Sequence, residues 1–147
     1  AAQTAHNFIY RSCDVTTTGN PLAHAILRGG VDKYGTNIPN YHFEDLTRLC
    51  ALYAESGLQN PACIVDANHS NSGKKFREQV RIVSEVLHSR AHNDGVRALV
   101  KGVMVESYLV EGAQKISDHM VRGQSITDPC LGWEDTEKLL CMIADRV

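Results

Sequence analysis

The sequence predicts an α/β fold built on parallel strands, and three observations lead there. Short apolar runs occur at 24–27, 62–65 and 102–105, and they recur about every forty residues. Each run stops on residues that carry chemistry: Arg28–Gly29–Gly30 after the first, Asp66 to His69 after the second, and Glu106–Ser107 after the third. A helical pattern follows each run. Continuous apolar runs of this length fit strands buried on both faces. Strands that alternate with helices imply parallel βαβ units. The three strands then point the same way, so Arg28, Asp66, His69 and Glu106 gather at their carboxyl ends, the edge where α/β folds place their chemistry.

Taken in order, residues 1–22 are polar and irregular, and Asp14 to Pro21 reads as loop and turn with Gly19–Asn20–Pro21 as the breaker. The first strand is expected over about 23–27, followed by a loop with Gly35 and Pro39. Phe43, Leu46, Leu49, Cys50 and Tyr53 then recur at helical spacing, and Gly57 and Pro61 end that helix. The second strand is expected over about 62–66, with a small polar loop from His69 to Lys74 after it. Phe76, Val80, Val83 and Leu87 mark the clearest helix, with Arg77, Glu78, Arg81 and Glu85 on its other face, and it fades near 92–95. The third strand covers about 99–105, and the stretch from there to Asp128 lacks periodicity. A loop of that length inside a compact domain is usually functional or mobile. The last helix is expected to start near Asp135 or Thr136, either of which can cap it.

The chain of 147 residues suggests one domain or part of one. It starts Ala-Ala-Gln, without an initiator methionine, so a piece of a longer protein is expected. A formal net charge of −2 gives no reason to expect nucleic acid or an anionic membrane as partner. No apolar stretch is long enough to cross a bilayer. The five cysteines show no CxxC spacing. Free core thiols in a reducing cytoplasm are expected, with Cys63 in a strand pattern and Cys50 and Cys141 in helical ones.

His69, Glu106 and Asp128 lie at two strand ends and in the loop before the last helix. One imidazole and two carboxylates make a mixed nitrogen and oxygen donor set for a divalent metal such as manganese, iron, cobalt or zinc. The alternative is a satisfied loop histidine and an aspartate that only supports a turn. Asp66 either ligates as well or orients His69. Arg28 can grip phosphate or carboxylate through two parallel hydrogen bonds, or pair with a neighbouring carboxylate. Lys74 lacks a full phosphate-loop pattern and reads as a helix-start lysine. Cys130 reads as structural, His24 as a core histidine, Trp133 as packing for the last helix, and Arg77, Arg81 and Arg90 as a solvated helix face.

At GNPLAHAILRGG (19–30), PNY (39–41), VDANHSNSGK (65–74), GVMVESYLVEGAQ (102–114) and GQSITDPCLGWEDTEKLL (123–140), the sequence resembles the class I 3-deoxy-D-arabino-heptulosonate 7-phosphate (DAHP) synthases. The segments follow the family's order and spacing and cover most of the chain from Gly19 onward. The resemblance implies the C-terminal part of a TIM (β/α)8 barrel, about three βα units with strands six to eight. Residues 1–147 would then form a single partial domain with 1–18 as a poorly matched lead-in.

The implied activity is condensation of phosphoenolpyruvate with erythrose 4-phosphate, with release of phosphate, at the head of the shikimate pathway. By position, Arg28 matches the arginine that binds phosphoenolpyruvate, and His69, Glu106 and Asp128 match three of four metal ligands. His69 is also expected to touch substrate. The resemblance further implies a cytoplasmic enzyme that is a homo-oligomer when full length. The family's fourth ligand, a cysteine on the first barrel strand, has no counterpart here, nor do the basic residues of the earlier strands. The fragment alone is therefore expected to be inactive. Two other readings stand beside this one: a truncated, non-catalytic relative that binds an anion or docks on a barrel, and an unrelated metal hydrolase.

Overall fold

The computed structural model of the protein describes residues 2–147. Nine strands and five helices follow one another among them. They are β1 (Asn7–Tyr10), β2 (Cys13–Thr16), β3 (Ala25–Leu27), β4 (Gly30–Val31), β5 (Asn37–Ile38), α1 (Phe43–Ser56), β6 (Cys63–Asp66), α2 (His69–Ser72), α3 (Glu78–His92), α4 (Asp94–Leu99), β7 (Val100–Met104), β8 (Val110–Ala113), β9 (Gln124–Ser125) and α5 (Trp133–Ala144). The class is α/β. The central sheet has the order β3-β6-β7, and both of its pairings are parallel. Ile26 aligns with Ile64, and Ile64 with Gly102, so the three strands end close together.

One face of this sheet is closed by the helices. Cys63 and Val65 on β6 pack with Leu46 of α1, with Ile82, Val83 and Val86 of α3, with Val96 of α4 and with Leu139 of α5. All of these are at most 2% exposed. Alternation along a strand sends Ile26, Ile64 and Met104 to the opposite face. There Ile26 is 51% and Met104 38% exposed. Ile64 of β6 on that face is also only partly buried, so the expectation of strands buried on both faces is not met in full by any of the three. No element among the described residues covers that face, and the outer edges of β3 and β7 are unpaired.

The helix boundaries follow local chemistry. The Asp45 carboxylate accepts from the His42 N–H at 3.2 Å, which satisfies a donor at the start of α1. Gly57, at φ 61°, closes α1 in the left-handed conformation that glycine tolerates best. The last helix starts at Trp133 with Gly132 before it, so Asp135 lies in its first turn and does not cap it. Trp133 itself is 53% exposed and packs the helix start less than expected.

Several elements carry no sequence signal. The lead-in is not irregular: β1 and β2 form an antiparallel hairpin. Its turn residues, Arg11 at φ 48° and Ser12 at φ 61°, adopt positive φ without the glycine or asparagine that normally announces such a turn. β4 and β5 form a second hairpin after Gly29. The polar stretch from His69 holds one helical turn, α2, and α4 appears where the long helix was expected to fade. The aperiodic stretch before Asp128 contains the β8–β9 pair. His24 is exposed and precedes β3, which corrects its assignment to the core. All five cysteines are free, but only Cys63 is fully buried, and Cys13 and Cys141 are exposed.

Candidate metal centre

The parallel sheet brings three chain segments to one edge. Asp66 is the last residue of β6, Arg28 follows β3, and Glu106 stands just past β7. After Asp66 the chain is tied to the next strand, since the Ala67 N–H donates to the Met104 carbonyl at 2.9 Å. It then turns sharply into α2. His69 opens that turn at φ 39°, a left-handed conformation uncommon for a residue with a side chain.

The Asp66 carboxylate holds this turn. It is 1% exposed as a side chain, and its Oδ2 lies 2.6 Å from His69 Nδ1. Its Oδ1 accepts the Asn68 N–H at 2.8 Å. A carboxylate only accepts, so Nδ1 carries a proton, and in the neutral ring Nε2 then holds the lone pair. That Nε2 lies 3.4 Å from Glu106 Oε1 and 4.0 Å from Asp128 Oδ2. One donor atom from each of His69, Glu106 and Asp128 lies within 4.8 Å of the other two. Donors about 2.1 Å from one ion sit at most about 4.2 Å apart, so both measured separations suit a shared cation. The donor set fits a divalent ion by its chemistry as well: two carboxylates converge on a neutral imidazole whose orientation is fixed from behind. The second possibility for Asp66, that it orients His69, is the arrangement observed.

Two cations flank the cluster. Arg28 Nε is 4.0 Å from Asp66 Oδ2, and its side chain is 58% exposed. More than half of the side chain thus remains open to solvent. Lys74 Nζ is 3.5 Å from Asp128 Oδ1. Lys74 comes after α2 at φ 61° and does not start a helix. Cys130 also lies near, with Sγ 3.4 Å from the Asp128 carbonyl. Burial raises its thiol pKa, and the nearby Glu106 and Asp128 charges add to that, so it is a poor nucleophile.

Sequence reasoning did not single out the asparagines that support this edge. The Asn71 amide donates to the Asp66 carbonyl at 2.8 Å and to the Leu27 carbonyl at 3.0 Å, which ties β3 to β6 at their ends. Asn71 Oδ1 accepts the Asn40 N–H at 2.8 Å, and Asn40 Oδ1 accepts the Gly29 N–H at 2.8 Å. The network thus runs from the residue beside Arg28 to the turn that carries His69. Gly29 is required where these layers meet. It has φ 71°, and a Cβ there would lie 2.8 Å from Ser70 Cβ and 2.9 Å from the Asn71 nitrogen. Both PNY (39–41) and NHSNS (68–72) hold these asparagines in plain view, but a polar residue in a loop does not announce which carbonyl it will reach. Of the basic helix positions, Arg77 and Arg81 are exposed and paired with Glu111 and with Glu78 and Glu85, as a solvated face should be. Arg90 instead donates to the Val100 carbonyl at 2.6 Å.

The sequence profile of the DAHP synthetase I family matches residues 1–141. The chain belongs to the DAHP synthetase I family. Among relatives in the DAHP synthetase I family, the phospho-2-dehydro-3-deoxyheptonate aldolase of Haemophilus influenzae is 41% identical over 154 residues, which cover 100% of this chain and 40% of that protein. The Trp-sensitive phospho-2-dehydro-3-deoxyheptonate aldolase of Escherichia coli K12 is 40% identical over 133 residues, 89% of this chain and 35% of its own. The solved structure of the aldolase from Francisella tularensis SCHU S4 superposes with a TM-score of 0.81 at 30% identity, covering 99% of this chain and 42% of that one. The chain therefore spans about 40% of the length of these DAHP synthetase I relatives. No helix among the described residues is long and apolar enough to cross a membrane.

Proposed function

We propose that this chain supplies the metal-binding and phosphoenolpyruvate-binding rim of a DAHP synthase. In this reading it is the C-terminal part of a TIM (β/α)8 barrel, with β3, β6 and β7 as strands six, seven and eight, and residues 1–147 form one partial domain with 1–18 as its lead-in. The unpaired outer edges of β3 and β7, and the uncovered face carrying Ile26 and Met104, support the barrel assignment, because strands in a closed barrel have neighbours on both sides. The single observation that carries the functional reading is the convergence of His69, Glu106 and Asp128 beside an open Arg28.

The activity proposed for the complete protein is the condensation of phosphoenolpyruvate with erythrose 4-phosphate, the first step of the shikimate pathway. Carbon 3 of phosphoenolpyruvate forms a bond to the aldehyde carbon of erythrose 4-phosphate, whose oxygen takes up a proton, water adds at carbon 2, and the bond from carbon 2 to the phosphate oxygen breaks to release inorganic phosphate. His69, Glu106 and Asp128 would hold a divalent ion such as manganese, iron, cobalt or zinc, which would supply Lewis-acid polarisation of the aldehyde carbonyl. Arg28 binds the anionic groups of phosphoenolpyruvate and fixes the direction of carbon 3. Asp66 keeps the His69 proton on Nδ1, so that Nε2 faces the reacting centre. Lys74 balances the charge of Asp128. A cytoplasmic homo-oligomer completes the reading.

The test is direct. The complete gene product should consume both substrates and release phosphate in a metal-dependent manner, and a chelator should abolish turnover. Glu106→Gln should lose metal-dependent activity, and the 147-residue chain alone should show none. A fully active Glu106→Gln variant sinks the ligand assignment. Turnover of phosphate esters or carboxylic esters without any need for erythrose 4-phosphate would favour a hydrolase instead.

A further inference from the structure

Gln79 is fully buried near the start of α3. Burying an amide is unfavourable unless its polar atoms are bonded. Both ends of this one bond the same residue. Gln79 Oε1 accepts the Glu106 N–H at 2.7 Å, and Gln79 Nε2 donates to the Glu106 carbonyl at 3.0 Å. Glu106 lies beyond the last residue of β7, and its N–H goes to the Gln79 side chain rather than to a neighbouring strand, while its carbonyl is shared between Gln79 and the isolated parallel bridge of Ser107 with Leu131.

The same Glu106 carbonyl has a second lone pair, and it accepts the Leu131 N–H at 2.9 Å. Leu131 is three residues beyond Asp128 and is 1% exposed. Its carbonyl accepts the Tyr108 N–H at 2.9 Å, and Ser107 Oγ lies 2.6 Å from Thr136 Oγ1 in α5. The segment after Asp128 is thus anchored to the backbone that Gln79 holds. On the other side, α3 follows directly on the turn that carries His69, whose carbonyl accepts the Lys74 N–H at 2.9 Å. One buried side chain thus supports Glu106 directly and the Asp128 segment through Leu131.

We propose that Gln79 is a positioning residue of the metal centre: its amide clamps the Glu106 backbone, aims the Glu106 carboxylate at His69 Nε2, and through Leu131 keeps the Asp128 segment in register. The inference rests on the metal-centre reading above. Apolar side chains of the same size would fill the space and leave the carboxylate free to swing. Groups that orient a ligand from behind typically change metal affinity about 10- to 100-fold when removed.

The experiment is a double-mutant cycle on the complete gene product, with manganese(II) as the probe and its affinity read by calorimetric titration in the absence of substrates. Gln79→Met should weaken manganese binding by about 10- to 100-fold. In a Glu106→Gln background the same change should cost less than about threefold, because residues that act through one another are not additive. An equal loss in both backgrounds, or no loss in either, overturns the proposal and leaves Gln79 as packing only. His69→Ala and Glu106→Gln separate this from the parent reading: if both bind manganese as tightly as the wild type, there is no metal centre and the inference falls with it. A measurement on the wild type covers the case in which Gln79→Met does not fold. The Glu106 and Leu131 amides should be strongly protected from hydrogen exchange, and rapid exchange at Glu106 overturns the clamp.

Discussion

Replacing Asp66 by asparagine changes one atom type and forces a choice on the site. The carboxylate now accepts twice, from the Asn68 N–H at 2.8 Å and from His69 Nδ1 at 2.6 Å. An amide of the same shape has one acceptor and one donor end. If its oxygen stays on the Asn68 N–H, the NH2 faces His69 Nδ1. The imidazole must then accept there and carry its proton on Nε2, which removes the lone pair aimed at the cluster. If the amide flips, His69 keeps its tautomer, but the NH2 faces the buried Asn68 N–H and leaves donors without acceptors. The first outcome should lower metal affinity by about 10- to 100-fold. The second should lower stability by about 1–3 kcal/mol, the usual cost of an unsatisfied buried donor. The nearby Arg28 adds little to either figure, because its side chain is 58% exposed and its pairing with Asp66 is screened. Manganese titration and urea unfolding of Asp66→Asn, run on the same preparation, read both outcomes. Wild-type values in both assays would refute the assignment of Asp66 as the group that orients His69.

Three further expectations follow from particular contacts. Gly29→Ala places a Cβ 2.9 Å from the Ile38 carbonyl oxygen and 2.9 Å from the Asn71 nitrogen, at φ 71°. The left-handed backbone costs about 1–2 kcal/mol and the overlap about 1–3 kcal/mol more, so urea unfolding should show a loss of about 2–5 kcal/mol. A loss under about 0.5 kcal/mol, the range of ordinary surface changes, would show that the contact yields freely. Arg28→Ala should raise the KM for phosphoenolpyruvate and leave manganese affinity unchanged, and an unaltered KM would remove Arg28 from the substrate site. Thiol alkylation at pH 8 with mass mapping should label Cys13 and Cys141 first. Burial pushes the Cys63 thiol up to about 11 and leaves it no exposure. At pH 8 about one molecule in a thousand then carries the thiolate, so Cys63 should label only on unfolding. Early labelling of Cys63 would mean that β6 opens readily.

The sequence reading succeeded where one chemical pattern repeats within a short stretch. The strands at Ala25–Leu27, Cys63–Asp66 and Val100–Met104 lie inside the ranges expected for them, 23–27, 62–66 and 99–105. The helix Phe43–Ser56 ends at Gly57 as its periodicity required. It failed where a turn uses residues that do not advertise positive φ, as at Arg11 and Ser12, and where strands of two residues pair across a loop, as at Gly30–Val31 with Asn37–Ile38. His24 was misplaced because an apolar neighbourhood marks a strand without marking where its ladder begins.

For the site, the letters alone named His69, Glu106, Asp128 and Arg28, because residue type and position at a strand end are local properties. They also carried the family resemblance. What tertiary structure decided was the division of labour among them. Asp66 sits behind the imidazole, with its carboxylate on His69 Nδ1, because α2 folds His69 back over the strand end. The network through Asn40, Asn71 and Gln79 belongs wholly to the folded chain. Its hydrogen bonds join residues 31, 44 and 27 positions apart, and no pattern along a chain specifies which distant peptide group a side-chain amide will meet.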